Sequence, residues 1–390
     1  MRPYKYQEPA ISQHVQNIKK FGSSLDCSDT GTGKTYIAAF VLKSLNKNCN
    51  LPATVICPKA VIPAWQEALK NLNLPICEII NYEKARVRGL QNPKFIIFDE
   101  VHRCGGRNTL NSKILANAKA KKVPHLMLSA TAADSPLRMK SIGYSLDLFC
   151  LNKWWSWCLK NGVHKTWHGG HVFEKGKYLK KIHDQIGNRL VRIQKENLPD
   201  WPDCTIDFIK LPGQKIKYDD EYLEVRQKTE LSKVKHIKEL VEDLVSQGHS
   251  VPIFVNYKDT FCELVNILKK HLDKKVCNGI VGGQNASERD YLIQQFQKNK
   301  LKVLPVMVQA GGVGLSLHDK LGTSPRVALH CLPESAIHFI QALGRINRAN
   351  QKGFAINRIL ITEGTFEEKI KNRIDKKIEF INLLQDGDLK

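Results

Sequence analysis

Residues 28–35 read SDTGTGKT, and the apolar, helix-forming run YIAAFVLKSL follows them directly. Binding the phosphates of a nucleotide requires backbone N–H groups that converge on oxygen atoms, and glycines allow that close approach. Lys34 can reach the β- and γ-phosphates, the Thr35 hydroxyl can bind Mg²⁺, and the N-terminus of the following helix favours an anion. Because Ser28 stands where the general P-loop pattern has glycine, an ordinary turn between a strand and a helix is the alternative.

A second motif lies at residues 94–100, KFIIFDE, where an apolar strand ends in Asp99 and Glu100. Hydrolysis of a nucleoside triphosphate needs one acid to hold Mg²⁺ and another to orient or deprotonate the attacking water. Adjacent acids at the carboxyl end of a parallel strand, beside a P-loop, meet both needs. A strand that ends in Asp-Glu is common by itself, but here it follows a phosphate-binding pattern. The pair therefore favours a nucleotide site.

The third motif is QALGRINRANQ at residues 341–351. Arg345 and Arg348 are three residues apart, so on a helix both would lie on one face, which Gln341 would share. Two guanidinium groups placed in this way can bind a γ-phosphate from across a cleft. In a chain this basic, a solvated basic helix face is the alternative interpretation.

Strand and helix patterns alternate through the first third of the chain and again from about residue 231. This alternation predicts an α/β fold with parallel sheets covered by helices. The pattern breaks between the two halves, which indicates two α/β lobes of similar size. The expected divisions are lobe 1 at 1–134, a basic helical insertion at 135–200, a linker at 201–230, lobe 2 at 231–364 and a C-terminal helix at 365–390.

The chain has 390 residues, of which 42% are hydrophobic and 25% charged, and its net charge is +22. These values are typical of a soluble protein of two or three domains, and the excess of Lys and Arg favours a polyanion such as nucleic acid as partner. A basic surface that serves only solubility is the alternative.

There is no transmembrane-length apolar run, no apolar core of a signal peptide at the N-terminus, and no C-x-x-C pair among the 11 cysteines. We therefore expect reduced thiols and a cytoplasmic protein of a prokaryotic or virus-infected cell, or a nuclear one in a eukaryote.

Residues 151–200 contain ten Lys or Arg and four Asp or Glu, and the stretch KWWSWCLKNGVHKTWHGGH (153–171) is rich in Trp and His. The irregular spacing of its Cys and His residues disfavours zinc. Trp and His beside lysines suit contacts with a nucleic-acid backbone and packing against bases or sugars. The alternative, which we expect for at least one tryptophan, is a small core of the insertion. Phosphate contacts are expected from Lys175, Lys177, Lys180 and Lys181.

Taken in order, these motifs resemble the core of superfamily 2 helicases and, within that superfamily, the Swi/Snf-type translocases. The motifs occur in the family's order, and they extend from residue 6 to residue 351, so the resemblance covers nearly the whole chain. The motifs are Tyr6-Gln7 (Q motif), SDTGTGKT (I), VICPKAVIPAWQEAL at 55–69 (Ia), DEVH at 99–102 (II), LSAT at 128–131 (III), LVRIQKENLP at 190–199, VPIFVNYKDTFCELVNIL at 251–268 (IV), GIVGGQNASERDYLIQQFQ at 279–297, VQAGGVGLSL at 308–317 (V) and QALGRINRANQ (VI).

The resemblance implies two RecA-like lobes, ATP as the nucleotide and Mg²⁺ as its metal ion. It implies a nucleotide site made of Tyr6 and Gln7 at the adenine, Thr30, Gly31, Thr32, Gly33, Lys34 and Thr35 at the phosphates, Thr35 and Asp99 at Mg²⁺, Glu100 at the attacking water, and Gln341, Arg345 and Arg348 from lobe 2. It implies nucleic-acid contacts by Pro58, Lys59, Ser129, Thr131, Gly311 and Gly312.

The activity that the resemblance implies is that of a monomeric, ATP-dependent DNA helicase or translocase acting on duplex or branched DNA, by branch migration or fork remodelling. The insertion resembles the shorter kind found in annealing and fork-remodelling branches, and the compact chain suggests a phage or viral source. Ser129-Ala130-Thr131 and His102 depart from the remodeller pattern towards that of general helicases. The alternatives are a strand-separating DNA or RNA helicase and a non-catalytic DNA-binding scaffold.

Overall fold

The computed structural model describes residues 1–46, 52–74, 78–133, 135–173, 177–213, 222–272, 276, 278–311 and 315–386. The chain divides into two compact units, the first made of Met1–Pro199 with Lys377–Lys390 and the second of Asp200–Lys376. Each unit contains one parallel sheet whose strands alternate with helices. The α/β fold class predicted from the alternation of strand and helix patterns is therefore confirmed.

The first unit contains a six-stranded parallel sheet and a separate antiparallel hairpin. Its strands are β1 (Ser23–Asp26), β2 (Ala53–Cys57), β3 (Glu78–Asn81), β4 (Phe95–Asp99), β5 (His125–Leu128), the hairpin strands β6 (Val163–Lys165) and β7 (His171–Phe173), and β8 (Leu190–Val191). The sheet order is β3-β2-β4-β5-β1-β8. Strands β2, β4 and β5 are buried along their whole length, which explains their continuous apolar runs.

Eight helices belong to the described part of the first unit before residue 199. They are α1 (Glu8–Phe21), α2 (Lys34–Leu45), α3 (Ile62–Asn71), α4 (Tyr82–Arg88), α5 (Leu110–Ala120), α6 (Lys140–Ser145), α7 (Trp154–Lys160) and α8 (Lys177–Ile186). In neither unit does a described helix combine the length and the apolar character needed to cross a membrane.

Strand β1 reads Ser-Ser-Leu-Asp, although it lies inside the sheet. Its polar side chains are buried but hydrogen-bonded. His14 of α1 places Nδ1 2.8 Å from Ser24 Oγ and Nε2 3.2 Å from Asp26 Oδ2, and the Ser23 hydroxyl donates to the Ser145 carbonyl at 2.6 Å. The N–H of Ser28 donates to the other oxygen of Asp26 at 2.7 Å. Burial alone would raise the pKa of Asp26, but the hydrogen bond and charge of His14, together with the charge of Lys34 and the hydrogen bond of Ser28, outweigh it and lower the pKa. An acid at the end of a buried strand is thus accommodated.

The basic insertion packs against the first sheet. Trp154 and Trp157 are buried in the same apolar cluster as Leu115 of α5 and Ile142 of α6. On the insertion's helix α8, three apolar residues join that cluster, namely Leu179, Ile182 and Ile186. The sequence predicted that at least one tryptophan would lie in a small core of the insertion itself. Trp154 and Trp157 instead lie in the core of the first unit.

The second unit has a five-stranded parallel sheet in which β10 and β12 are buried along their whole length. Its strands are β9 (Cys204–Leu211), β10 (Val251–Val255), β11 (Val303–Met307), β12 (Arg326–Cys331) and β13 (Ala355–Thr362), in the order β11-β10-β12-β13-β9. Its helices are α9 (Tyr222–Ser232), α10 (Val234–Ser246), α11 (Lys258–Leu272), α12 (Ala286–Gln297), α13 (Val308–Gly311), α14 (Ala336–Leu343) and the first part of α15 (Glu367–Asp386).

Residues 201–230 differ from the expected linker. Strand β9 pairs with β13 along its whole length, and α9 begins at Tyr222. Most side chains of β9 are exposed because it is an edge strand, so the sequence shows no continuous apolar run there. The segment is part of the fold of the second unit.

Helix α15 begins in the second unit and, from Lys377 onward, belongs to the first. Ile370, Ile374 and Ile381 are buried, as the helical spacing of its isoleucines predicts. At its start Glu367 forms a buried ion pair with Lys233, whose Nζ lies 2.6 Å away. Near its end Nε2 of Gln385 donates to the Ala130 carbonyl at 2.9 Å.

Candidate active site

The loop between β1 and α2 has a backbone shape that its glycines allow. Gly31 and Gly33 have φ angles of 94° and 88°, in the left-handed region that residues with a side chain rarely adopt. A Cβ atom on Gly33 would also lie 2.6 Å from Nε2 of Gln7. Position 33 therefore requires glycine, and the loop leads into the N-terminus of α2, where an anion is stabilised.

Gln7 and Tyr6 hold this loop from the turn that precedes α1. Nε2 of Gln7 donates to the Thr32 carbonyl at 2.8 Å, and the Tyr6 hydroxyl donates to the same oxygen at 3.2 Å. Gln7 is buried, and its Oε1 accepts the N–H of Tyr4 at 3.1 Å. Both side chains therefore position the loop, while their contact with an adenine ring stays a prediction.

The ammonium group of Lys34 lies inside the loop. Its Nζ donates to the carbonyls of Ser28 and Asp29 at 2.6 and 3.0 Å. Burial lowers the pKa of Lys34, and the surrounding carboxylates, of which Asp26 has the largest effect, oppose that shift. These acids favour a positive charge at the point where phosphate oxygens would bind.

Ser28, which replaces the expected glycine, has a structural partner. Its Oγ accepts the N–H of Ile193 at 3.0 Å, although the two residues are 165 positions apart. The chain after β8 continues beside the loop, and the N–H of Lys195 donates to the Asp29 carboxylate at 3.1 Å. The sequence motif LVRIQKENLP gave no indication that its backbone supports the phosphate-binding loop.

Asp99 ends β4 with both carboxylate oxygens hydrogen-bonded. Its Oδ2 accepts the indole N–H of Trp65 at 2.8 Å, and its Oδ1 accepts the N–H of Glu100 at 2.9 Å. The backbone carbonyl of Asp99 accepts the Tyr82 hydroxyl at 2.8 Å. Burial, followed by the charge of Glu100, raises the pKa of Asp99 to about 6. The indole thus orients the carboxylate and the phenol holds the backbone of a residue that the fold keeps nearly inaccessible, with 8% of its surface exposed.

Glu100 adopts a left-handed backbone conformation with a φ angle of 55°. Such conformations are unfavourable for residues other than glycine and cluster at functional sites. Oε2 of Glu100 lies 3.2 Å from Nδ1 of His102, and the same nitrogen is 3.1 Å from Ser129 Oγ. That hydroxyl also accepts the N–H of Thr131 at 3.2 Å. The two departures from the remodeller pattern, His102 and Ser129-Ala130-Thr131, therefore form one connected group beside Glu100.

The acids of this unit suit a metal ion that takes few protein ligands. Among the residues that the structure describes, no three His, Cys, Asp or Glu side chains are grouped as a metal site made by protein alone. Mg²⁺ commonly keeps several waters and binds one or two carboxylates together with substrate phosphates. The Asp99 carboxylate, beside a phosphate-binding loop that carries Thr35, fits that mode of binding.

The three predicted residues of motif VI belong to the second unit. Gln341 is buried on α14. The prediction that Arg345 and Arg348 lie on a helix is wrong, because α14 ends at Leu343. The turn that follows nevertheless brings both guanidinium groups to one acceptor, the Leu315 carbonyl, at 3.4 Å for Arg345 and 3.0 Å for Arg348.

The residues predicted to contact nucleic acid differ in exposure. Lys59, Lys180 and Lys181 are exposed, whereas Pro58 is buried. Ser129 and Thr131 are also buried, so their side chains pack inside the first unit rather than on its surface. Gly311 ends α13 and Lys177 begins α8. Gly312 and Lys175 lie outside the described residues, and so does the remainder of the glycine-rich part of motif V.

Comparisons with known proteins show similarity to helicases. Residues 232–350 match the helicase conserved C-terminal domain. A protein of Acanthamoeba polyphaga mimivirus, named as an ATP-dependent RNA helicase, is 29% identical over 99% of this chain and 84% of its own length. The mouse protein named DNA excision repair protein ERCC-6-like is 33% identical, over 37% of this chain and 11% of its own length. By these matches the chain is similar to superfamily 2 helicases, including Swi/Snf-type proteins.

Solved helicases share the fold of this core. The structure of Dbp5 of Saccharomyces cerevisiae, bound to RNA and ADP BeF3, aligns over 96% of this chain and 88% of its own, with 18% identity and a TM-score of 0.60. The DUF1998 helicase MrfA, bound to DNA and AMPPNP, aligns over 96% of this chain and 50% of its own, with 13% identity and a TM-score of 0.61. The two units therefore share the RecA-like fold of the lobes of these helicases, and the similarity to helicases implies an enzyme that hydrolyses ATP and acts on nucleic acid.

Proposed function

We propose that this chain is an ATP-dependent translocase that moves along duplex or branched DNA. The observation that carries the proposal is the set of charged groups in the first unit, where the Lys34 ammonium lies inside the phosphate-binding loop and interacts electrostatically with both Asp99 and Glu100. A scaffold without catalysis would not need these groups together, since each is costly to bury. Acids and a lysine in this arrangement support hydrolysis of a nucleoside triphosphate.

In this proposal each group of the first unit has one task. Lys34, which now donates to two carbonyls, would transfer its hydrogen bonds to phosphate oxygens. Thr35 and Asp99 would hold Mg²⁺, which neutralises charge on the phosphates. Glu100 would accept the proton of the attacking water at its carboxylate, and His102, 3.2 Å from Glu100 Oε2, would orient that carboxylate.

Two groups of predicted contacts remain part of the proposal. Tyr6 and Gln7 would bind the adenine while they hold the Thr32 carbonyl. Gln341, Arg345 and Arg348 would bind the transferred phosphate, a task for which a rigid pair of guanidinium groups is suited. The shared hydrogen bonds of both arginines to Leu315 support this role, because they place the two charges side by side.

Several features support DNA as the substrate. The resemblance of the motifs to Swi/Snf-type cores and the net charge of +22 favour a protein that binds the phosphates of a duplex without reading its sequence. Exposed lysines such as Lys59, Lys180 and Lys181 can supply those contacts. A single-chain motor that works by phosphate contacts would be monomeric.

An RNA helicase is the second candidate function. One relative that covers almost the whole chain, the mimivirus protein, is named as an RNA helicase. The group formed by His102, Ser129 and Glu100 also resembles general helicases more than remodellers. Strand separation on RNA would follow from that candidate, and movement along duplex DNA would not.

The rate of phosphate release separates the candidates. It would be measured with saturating ATP and Mg²⁺ in the presence of duplex, forked, four-way or single-stranded DNA, or of duplex or single-stranded RNA, with Lys34→Ala as the inactive control. We expect duplex and branched DNA to give the largest stimulation. Greater stimulation by RNA would support the second candidate. The absence of ATP turnover with every nucleic acid would favour a non-catalytic DNA-binding scaffold.

A further inference from the structure

The hairpin of β6 and β7 presents the most exposed tryptophan of the described residues. Its strands pair through Val163 with Phe173 and through Lys165 with His171. The loop between them is closed by the N–H of Thr166, which donates to the Gly170 carbonyl at 2.9 Å. At the tip of this loop 90% of the Trp167 side chain is exposed. The tip is thus a short, hydrogen-bonded turn with an indole at its end.

The base of the hairpin is fixed to the core of the first unit. Val163 is fully buried, and Phe173 packs against the same apolar cluster. His171 lies with its ring edge-on to Trp155, with 4.7 Å between the ring centroids. An indole on such a support loses little conformational freedom when it binds a ligand, because the backbone beneath it is already ordered.

Exposure distinguishes Trp167 from the other five tryptophans of the chain. Trp65, Trp154 and Trp157 are buried, and Trp155 and Trp201 are half-buried. An exposed indole gives up the free energy that burial of its large apolar surface would provide. The neighbouring ring of His168 lies against it at a tilt of 35°. The molecule therefore keeps a flat, apolar ring in solvent at the end of a rigid support.

Charge indicates what kind of ligand this ring would contact. Residues 148–173 contain Lys153, Lys160 and Lys165 and three histidines, but no Asp or Glu. Lys165 is exposed and lies two residues from Trp167. A polyanion with flat apolar rings complements this combination of positive charge and an exposed indole, and single-stranded nucleic acid has both properties.

We propose that Trp167 is a stacking site for an unpaired nucleobase, with Lys165 beside it as a phosphate contact. This inference rests on the proposed action on nucleic acid, and it assigns an unpaired base as the ligand of the hairpin tip. Stacking between an aromatic side chain and a base is tolerant of base identity, since each base has a flat face. The hairpin would then hold the single-stranded segment of a branched substrate, whereas the rest of the surface would grip phosphates.

The test compares binding to DNA with and without bases. Forked DNA with a single-stranded arm would be prepared with normal nucleotides or with abasic sites in that arm. We expect Trp167→Ala to weaken binding of the normal fork about tenfold, the order of one stacking contact, whereas Trp167→Phe should keep most of the affinity. The abasic fork should bind all three proteins equally. Tyr291→Ala is the matched control, because 59% of that aromatic side chain is exposed in the second unit.

Intrinsic fluorescence provides a second readout that does not depend on activity. Addition of single-stranded oligonucleotide should quench part of the tryptophan emission of the parent chain, and that part should be missing in Trp167→Phe. An oligoribonucleotide arm shows whether the stacked strand is DNA or RNA. Thermal melting of each variant verifies that it is folded, and full exposure of Trp167 makes a folding defect unexpected.

Three results would overturn the inference. The first is unchanged affinity of Trp167→Ala for the normal fork, and the second is an equal loss on the abasic fork. The third is binding to vesicles of anionic phospholipid that depends on Trp167 while fork binding does not, since an exposed indole also suits a lipid surface. Failure of the proposed function is distinct, because it would appear as the absence of any nucleic-acid stimulation of ATP turnover in the parent chain.

Discussion

The guanidinium group of Arg192 lies 3.3 Å from the carboxylate of Asp29 in the phosphate-binding loop. Its Nε atom is also 3.1 Å from the Asp386 carboxylate near the end of α15. Only 12% of the Arg192 side chain is exposed, so this ion pair is shielded from solvent more than a surface pair. One arginine of the segment after β8 thus holds an acid of the loop and an acid of the C-terminal helix.

We expect Arg192→Gln to raise the KM for ATP about tenfold, the order of one charge-assisted hydrogen bond. The physical reason is that Asp29 would lose its cation, and the carbonyl of the same residue accepts a hydrogen bond from Lys34 at 3.0 Å. Turnover at saturating ATP should change much less, since Arg192 pairs with Asp29 and Asp386 and not with the proposed catalytic acid Glu100. Steady-state kinetics of ATP hydrolysis check both expectations.

Lys210→Gln is the matched control for that variant. Its ion pair with Glu363 is exposed, with 70% and 54% of the two side chains accessible, so its loss should leave KM unchanged. A normal KM in Arg192→Gln would mean that the backbone contacts of Ile193 and Lys195 position the loop without the arginine.

The chemistry of the first unit predicts different effects for two substitutions. Lys34→Ala should abolish ATP turnover, because it removes the cation of the phosphate-binding loop. Glu100→Gln should bind ATP normally and hydrolyse it at least about a hundredfold more slowly, the lower range for loss of a general base. Binding of a fluorescent ATP analogue and phosphate release measure the two properties. Hydrolysis by Glu100→Gln at the parent rate would show that another group accepts the proton.

The sequence predicted the local backbone around the candidate site, and physical reasons explain why. The conformation of residues 28–35 follows from two glycines and the helix start that comes next, and KFIIFDE is a buried strand that ends in acids. Both features depend on neighbouring residues only. The partners that orient these groups are distant in sequence. Contacts such as Trp65 with Asp99 and Ile193 with Ser28 span 34 and 165 residues, and no local pattern encodes them.

Three elements differ from the prediction or were absent from it. The causes are the exposure of an edge strand, the early end of a helix and the shortness of two strands. Strand β9 has few buried side chains because it lies at a sheet edge, so residues 201–230 looked like a linker. Gly344 follows the last residue of α14, and glycine commonly ends a helix, yet the spacing of Arg345 and Arg348 suggested that the helix continues. The hairpin of β6 and β7 has strands of three residues, too short to show an alternating pattern.

The exposed lysines of α8 predict the salt dependence of DNA binding. Lys180 and Lys181 are exposed, whereas Leu179 and Ile182 on the same helix are buried. Replacing both lysines with Gln should weaken binding of all duplex sequences alike and reduce the slope of log affinity against log salt by roughly one unit per lost phosphate contact. Titrations at several salt concentrations measure this slope. Lys270→Gln, an exposed lysine of α11, is the control, and an unchanged slope in the α8 variant would make its lysines a solvated surface.

Buried histidines predict a loss of stability in mild acid. His330 is stacked on Phe254, with 4.7 Å between ring centroids, and its Nε2 lies 2.8 Å from Asn357 Oδ1. Burial lowers the pKa of His330 to about 4, and the hydrogen bond to Asn357 offsets part of that shift. Between its ordinary value near 6.5 and the folded value near 4, only the unfolded chain binds the proton, so stability falls as pH decreases through this interval.

Replacing His330 with Gln tests that prediction. The free energy of unfolding of the parent chain should fall by about 2 kcal/mol more than that of His330→Gln between pH 7.5 and 5, since one pKa unit corresponds to about 1.4 kcal/mol. Chemical denaturation at the two pH values measures the difference. His125 also has a pKa lowered to about 4 by burial, so the variant should keep part of the pH dependence. Identical pH dependence in both proteins would mean that His330 is protonated in the folded chain.

The last prediction concerns the reaction on DNA. We expect branch migration of a four-way junction, or displacement of a third strand, to exceed unwinding of a blunt duplex. Branch migration exchanges one base pair for another at almost no net cost, whereas blunt unwinding must break each stacked pair at about 1.4 kcal/mol. A motor that grips mainly phosphates can perform the first reaction with little force. Gel assays on both substrates at equal rates of ATP hydrolysis compare them, with Glu100→Gln as the inactive control. Efficient unwinding of the blunt duplex, with the strongest ATPase stimulation by single strands, would make this chain a strand-separating helicase, in line with its His102 and Ser129-Ala130-Thr131.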